Sequence, residues 1–141
     1  MSGEWRVMET ETTTKPKSYK DLLVWQKGLP LVTTVYGLTQ EFPADERFGL
    51  VSQMRRAAVS VPSNLAEGQS RRTTGEFIQF ISHAEGSLAE LETQTLISIE
   101  LGFTNTETAE PILCAIEELQ KMLNSLRQKL SSRHSSLSTL H

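Results

Sequence analysis

Between Phe48 and Gly68 the chain reads FGLVSQMRRAAVSVPSNLAEG, and its apolar residues recur in threes and fours: Val51, Met54, Ala58, Val61 and Leu65. That spacing places them on one stripe of an α-helix and leaves the other side polar. The stripe keeps its phase across Pro62. A proline inside a helix removes one backbone hydrogen bond and crowds the carbonyl four residues earlier. The unbroken phase therefore predicts one bent helix rather than two, with a carbonyl near Ala58 set free. A helix with a single apolar stripe draws its stability from whatever covers that stripe, so the rest of the chain must supply partner helices.

It supplies three. Leu22, Trp25, Leu29, Val32 and Tyr36 share one face of a helix expected over 21–40, widened by Leu31, Val35, Leu38 and Phe42. Ser18 is its expected N-cap, with Asp21 completing a capping-box variant, and Glu41-Phe42-Pro43 ends it. Pro30 predicts either a late start or a kink near Gln26 and Lys27. The second helix is expected from Asp45, an N-cap, to Glu67, with Gly68 as its C-terminal cap. Thr73 or Thr74 caps a third helix over 75–101. Its core face is Phe77, Ile81, Ala84, Leu88, Leu91 and Thr95, broadened by Phe80, Leu96, Ile97 and Ile99. Gly86 and Ser87 predict a close helix approach, and Gly102 a C-terminal cap. Thr106 is the expected N-cap of a fourth helix, with Pro111 in its first turns. Ile112, Ile116, Leu119, Leu123, Leu126 and Leu130 then repeat in heptads. That period suits nearly antiparallel helices crossing at about 20°. There is no strand signal. The predicted fold is all-α, an up-down-up-down four-helix bundle with a kinked second helix over 19–131. A disordered arm over 1–18, anchored only by Trp5, and a flexible tail over 132–141 flank it.

A chain of 141 residues is one domain by size, long enough for a single core without disulfides or metal. The lone Cys114 lies in an apolar helical pattern and reads as a small buried side chain. The opening residues lack the apolar run of a signal peptide, and no segment approaches the roughly 18 apolar residues of a membrane span. A soluble, cytoplasmic protein is expected, with no membrane partner. The net charge of −3 hides a segregated pattern. Residues 75–120 contain nine Glu and no Lys or Arg. Arg47, Arg55, Arg56, Arg71 and Arg72 precede that run, and Lys121, Arg127, Lys129 and Arg133 follow it. Acidic and basic surfaces are thus expected to meet, within the bundle or between identical subunits. An acidic chain is not a generic nucleic-acid binder.

Five stretches between Tyr19 and Leu130 carry a family resemblance: SYKDLLVWQKG, VYGLTQEFP, ERFGLVSQMRRAAVSVPSNLAEG, EFIQFISHAEGSLAELETQ and EELQKML. The chain resembles the small bacterial four-helix-bundle proteins encoded in intervening sequences of 23S ribosomal RNA genes. The same superfamily includes the accessory variability protein of diversity-generating retroelements. The resemblance implies a closed homo-oligomer, a pentamer with a central channel. In the retroelement branch it implies association with a reverse transcriptase and nucleic acid. Gly28-Leu29-Pro30 stands where the family has a proline-free helical stretch, and the acidity of this chain departs from the basic retroelement proteins.

Candidate chemistry is sparse. Arg55 and Arg56 project about 100° apart on a helix, so one of them lies near the bundle or subunit boundary. Glu85 and Glu90 are their natural partners. Arg71 and Arg72 form the best exposed basic spot, with Gln69 and Ser70 as phosphate donors. These four arginines are the candidate contacts for RNA, DNA or a protein partner. Gln53, Ser60, Asn64 and Glu67 form a polar stripe, assigned with Arg56 and Glu90 to an oligomer interface or channel. Asn64 is placed to hold the backbone freed by Pro62. His83, His134 and His141 lack metal spacing, and the E-x-x-H motif of di-iron bundles is absent. No phosphate loop or nucleophile elbow occurs. The expectation is no catalytic, cofactor or metal residue. The expected function is a non-catalytic homo-oligomeric scaffold for a macromolecular partner. The alternative is a nucleic-acid-binding accessory factor of a reverse transcriptase or ribosomal RNA element.

Overall fold

A computed structural model of the chain describes residues 18–139, with side chains placed through residue 133. The expected arm, Trp5 included, lies outside the described residues apart from Ser18. That serine caps a short 3-10 turn, Tyr19–Asp21, accepting from Lys20 N at 3.2 Å. Four helices follow: α1 (Leu23–Thr39), α2 (Leu50–Gln69), α3 (Thr74–Glu100) and α4 (Thr106–Thr139). Among the described residues there is no strand.

Neighbouring helices run antiparallel, as their contacts show. Gly28 of α1 faces Pro62 of α2, and Thr39 meets Arg55. Ser60 of α2 meets Ser87 of α3, and Met54 Sδ accepts from Ser98 Oγ at 3.4 Å. Arg127 of α4 reaches Glu85 of α3, and Glu118 of α4 pairs with Lys27 of α1, closing the bundle. The α2–α3 seam is the most extensive. Met54, Ala58, Val61, Leu65, Ile81, Leu88, Leu91, Ile112, Ile116, Leu119 and Leu123 fill the centre, none more than 1% exposed.

The face of α1 is rotated from the expected one. Val24, Trp25, Gly28, Leu31, Val35, Leu38 and Thr39 are buried, while Leu29 and Val32 are only half-buried and Tyr36 is exposed. α1 has apolar residues nearly all round its lower half, so periodicity alone did not single out one row. Pro30 neither delays nor breaks the helix. Its ring faces solvent, and Thr34 Oγ1 donates to its carbonyl at 2.8 Å.

α2 runs unbroken through Pro62, as its phase predicts. Both of its expected ends need correction. Asp45 lies in a 3-10 turn, Ala44–Glu46, and the helix begins at Leu50, where Glu46 Oε1 accepts from Leu50 N at 3.2 Å. Gly68 is not the cap but a buried helical residue. A Cβ there would stand 2.6 Å from Phe80 Cβ, so glycine permits the close approach of α3. The expected close approach at Gly86 is absent: a Cβ there would meet nothing within 4 Å. Leu96 and Ile97, expected to broaden the α3 core, are 51% and 43% exposed.

The helix caps follow familiar chemistry. Thr73 and Glu76 form a reciprocal capping box at the start of α3. At its end Gly102 takes φ +79, with Gly102 N donating to Ile99 O and Phe103 N to Ser98 O. This is the Schellman arrangement, which glycine adopts without strain. Phe103 packs on Phe42 with ring centroids 5.6 Å apart. Asn105, rather than Thr106, caps α4: its Oδ1 accepts from Thr108 N at 2.8 Å. α4 continues to Thr139, where a flexible tail from 132 was expected. Cys114 is exposed, because it falls off the heptad row.

Candidate functional site

The four candidate arginines do not form one patch. Arg55 folds onto α1: its Nε donates to Thr39 Oγ1 at 2.9 Å, Nη2 to Tyr36 O at 3.3 Å, and the guanidinium lies 4.4 Å from the Tyr36 ring centroid. It anchors the C-terminal end of α1, where a cation complements the helix dipole. Arg71 is bound to Glu67 at 2.7 Å and lies over Phe80 at 4.9 Å. Arg56 and Arg72 are exposed and have no ion-pair partner among the described residues. Arg55 lies fourteen residues before the end of α2 at Gln69, roughly 20 Å along the axis, and Arg71 and Arg72 follow that end.

The expected acidic partners are also reassigned. Glu85 binds Arg127, whose Nη2 donates to Ser82 Oγ at 2.6 Å as well. The basic end of the fourth helix was the signal for this pair, but only the antiparallel packing of α3 on α4 selects Arg127. Among the described residues Glu90 meets no arginine; Gln94 Nε2 donates to it at 3.4 Å. The polar stripe divides. Ser60 Oγ lies within hydrogen-bond distance of Ser87 Oγ across the α2–α3 seam, and it donates to Ala57 O at 2.8 Å. Asn64 Nδ2 donates to Ser60 O at 2.7 Å, so its amide holds a carbonyl near the proline, though not that of Ala58. Gln53 and Glu67 stay exposed.

What the tertiary structure gathers instead is a pair of exposed apolar patches. Beside α2, Phe48 is 89% and Val59 39% exposed, bordered by Arg47 and Arg56 along an open cleft of about 630 Å³. On α3 and just beyond it, Leu96, Ile97 and Leu101 are exposed, and Glu90 and Glu100 are exposed on the same helix. The Met54–Ser98 and Ser60–Ser87 contacts place both patches toward one end of the bundle, one beside α2 and the other on α3. By spacing Phe48 continues the row of Val51 and Met54, but the helix starts only at Leu50, and the ring before it is left exposed.

Among the described residues no group of three or more His, Cys, Asp or Glu could hold a metal ion. His83 is exposed, its ring 5.7 Å from that of Phe80. The histidines at 134 and 141 lie outside the residues with described side chains. No helix among the described residues is long and apolar enough to cross a membrane.

The fold and its surfaces define a small antiparallel four-helix-bundle protein. Within that class, residues 20–125 match the model of the 23S rRNA-intervening sequence protein family, and the chain belongs to that family. A solved structure from Bacteroides thetaiotaomicron, described as a protein of unknown function from the S23 ribosomal protein family, has the same fold. The likeness has a TM-score of 0.66 at 22% identity, covering 74% of this chain and 98% of that one. A search of the curated proteins finds no significant match.

Proposed function

We propose that the protein is a non-catalytic, cytoplasmic scaffold that assembles from identical subunits into a closed ring and presents that ring to a macromolecular partner. The observation that carries this reading is the pair of unlike patches at one end of the bundle. One is apolar with arginines, around Phe48, Val59 and Arg56; the other is apolar with glutamates, around Leu96, Ile97 and Glu90. Large exposed apolar side chains rimmed by charge suit protein contacts. Complementary but different patches make heterologous contacts, and such contacts close into rings rather than two-fold dimers. The family resemblance favours five subunits. Arg56 and Glu90 each have no ion-pair partner among the described residues, which suits a pair formed between subunits.

Light scattering at micromolar concentration and moderate salt tests this. A multi-subunit mass above a dimer is expected. A monomer mass would sink the ring, and a dimer mass would sink the heterologous geometry. The competing reading, an accessory factor that grips nucleic acid, draws on Arg55, Arg56, Arg71 and Arg72. Two of those are already engaged within the subunit. Steeply salt-dependent RNA or DNA binding would favour it.

A further inference from the structure

The Lys27–Glu118 pair fixes how α1 lies against α4. One turn back from Lys27 is Leu23, and one turn on from Glu118 is Met122, so these two stand opposite each other in the antiparallel pair. α1 begins at Leu23, and the turn before it, Tyr19–Asp21, packs on α1 and α2. Past Met122, α4 therefore runs on beyond the start of α1, and an open apolar groove of about 380 Å³ is left between them. Leu23, 45% exposed, and the half-buried Met122 and Leu126 form its apolar wall. Lys121, Ser125 and Lys129, four residues apart on one row of α4, line its edge. Among the described residues lining it, none is acidic. Lys121 lies 3.9 Å from Glu117, whereas Lys129 has no ion-pair partner among the described residues.

We propose that this groove binds one molecule of a free, medium-chain aliphatic carboxylate, its head on Lys129 and its tail along Leu126 and Met122 toward Leu23. Charge selects the head and its direction. The charged side chains lining the groove are lysines, and Lys129 is the one without a carboxylate of its own. At the other end Glu117 and Glu118 stand within a turn of Lys121 and repel an anion there. The same glutamates oppose an anionic membrane surface, which favours a free ligand. Shape selects the tail. From Lys129 back to Lys121 the groove follows about 12 Å of helix. A saturated chain advances about 1.25 Å per carbon, given a bond of about 1.5 Å and an angle of about 111°, so about ten carbons fill that length. The volume lies in the range of clefts that hold small molecules. Met122 is unbranched and adaptable, the kind of side chain that conforms to a flexible tail. A helix of a partner protein fits less well. A specific protein contact takes about 20–30 residues from each side, and eight line this groove.

Titration calorimetry of the full chain with decanoate, below its micelle concentration, tests this. Saturable binding of one decanoate per chain is expected. Hexanoate should bind at least about tenfold more weakly, because four methylenes are lost from the apolar wall. Decyltrimethylammonium, with the same tail and the opposite head, should also bind at least about tenfold more weakly. Lys129→Glu should weaken decanoate by about tenfold, since it removes an ion pair and adds a repulsion. Leu23→Glu should weaken it as well, and an acid in the first turn of α1 suits the helix dipole. Should either variant change the circular dichroism spectrum, Lys129→Gln gives the second reading. Arg56→Glu, in the cleft beside α2, should leave binding unchanged. No saturable binding, or equal binding of the cationic probe, overturns the proposal. So does binding that survives the groove variants or is lost in Arg56→Glu, because the ligand then sits elsewhere. A lower mass for Lys129→Glu in light scattering places a second copy in the groove and overturns it. Binding to phosphatidylglycerol vesicles without binding to free decanoate places a membrane there and overturns it too.

Discussion

At the residue scale, two glycines inside helices have opposite reasons to be there. Gly28 faces Pro62, and a Cβ would stand at 3.7 Å, ordinary van der Waals contact. Gly68 faces Phe80 Cβ at 2.6 Å, which no flexible side chain can relieve. Glycine in a helix interior costs about 0.5–1 kcal/mol relative to alanine. Gly28→Ala should therefore raise stability by about that amount in a urea titration. Gly68→Ala should lower it by about 1–2 kcal/mol, since overpacking of about 1–3 kcal/mol outweighs the helix gain. Equal effects at the two positions would refute the packing argument. The guanidinium of Arg55 is similarly decided by its neighbours. Its i to i+1 adjacency with Arg56 suggests twin roles, yet Thr39 and Tyr36 claim one and leave the other in solvent.

At the scale of elements, Pro62 sets two terms against each other in α2. An interior proline costs a helix about 3 kcal/mol. Its buried ring packs on Gly28, and losing two ring methylenes would forfeit about 1.6 kcal/mol at about 0.8 kcal/mol each. Pro62→Ala should thus stabilise the isolated subunit by about 1 kcal/mol in thermal or urea unfolding. A loss of stability would mean the ring's packing dominates. Continuity of α2 was legible in the phase of Val51, Met54, Ala58, Val61 and Leu65. Its start was not, because Asp45 and Glu46 both carry cap chemistry, and only the 3-10 turn after Pro43 gives the cap to the glutamate.

On the scale of the whole molecule, the core and the assembly make separate predictions. Leu119, 1% exposed at the centre of the bundle, should cost about 2–5 kcal/mol when replaced by alanine. A loss under about 0.5 kcal/mol would remove it from the core. Assembly should respond to charge instead. Arg56→Glu is expected to lower the mass seen by light scattering, while Glu90→Arg in the same chain restores part of it. If the double variant assembles no better than the single, Arg56 and Glu90 do not meet across the interface. Both residues are exposed in the subunit, so neither change should alter monomer stability by more than about 0.5 kcal/mol.

Periodicity by itself determined the number of helices, their order, and the rows of side chains that α2, α3 and α4 bring to the centre. It did so because a 3.6-residue repeat maps one stripe of sequence onto one buried face. Residues outside such a stripe were beyond its reach. Which arginine folds back on α1, which glutamate takes Arg127, and why Gly68 rather than Gly86 carries a close approach were decided by tertiary packing. So was the gathering of Phe48, Val59 and Arg56 along one cleft beside α2. Those relations depend on distances between helices remote in the chain, and local spacing carries no record of them.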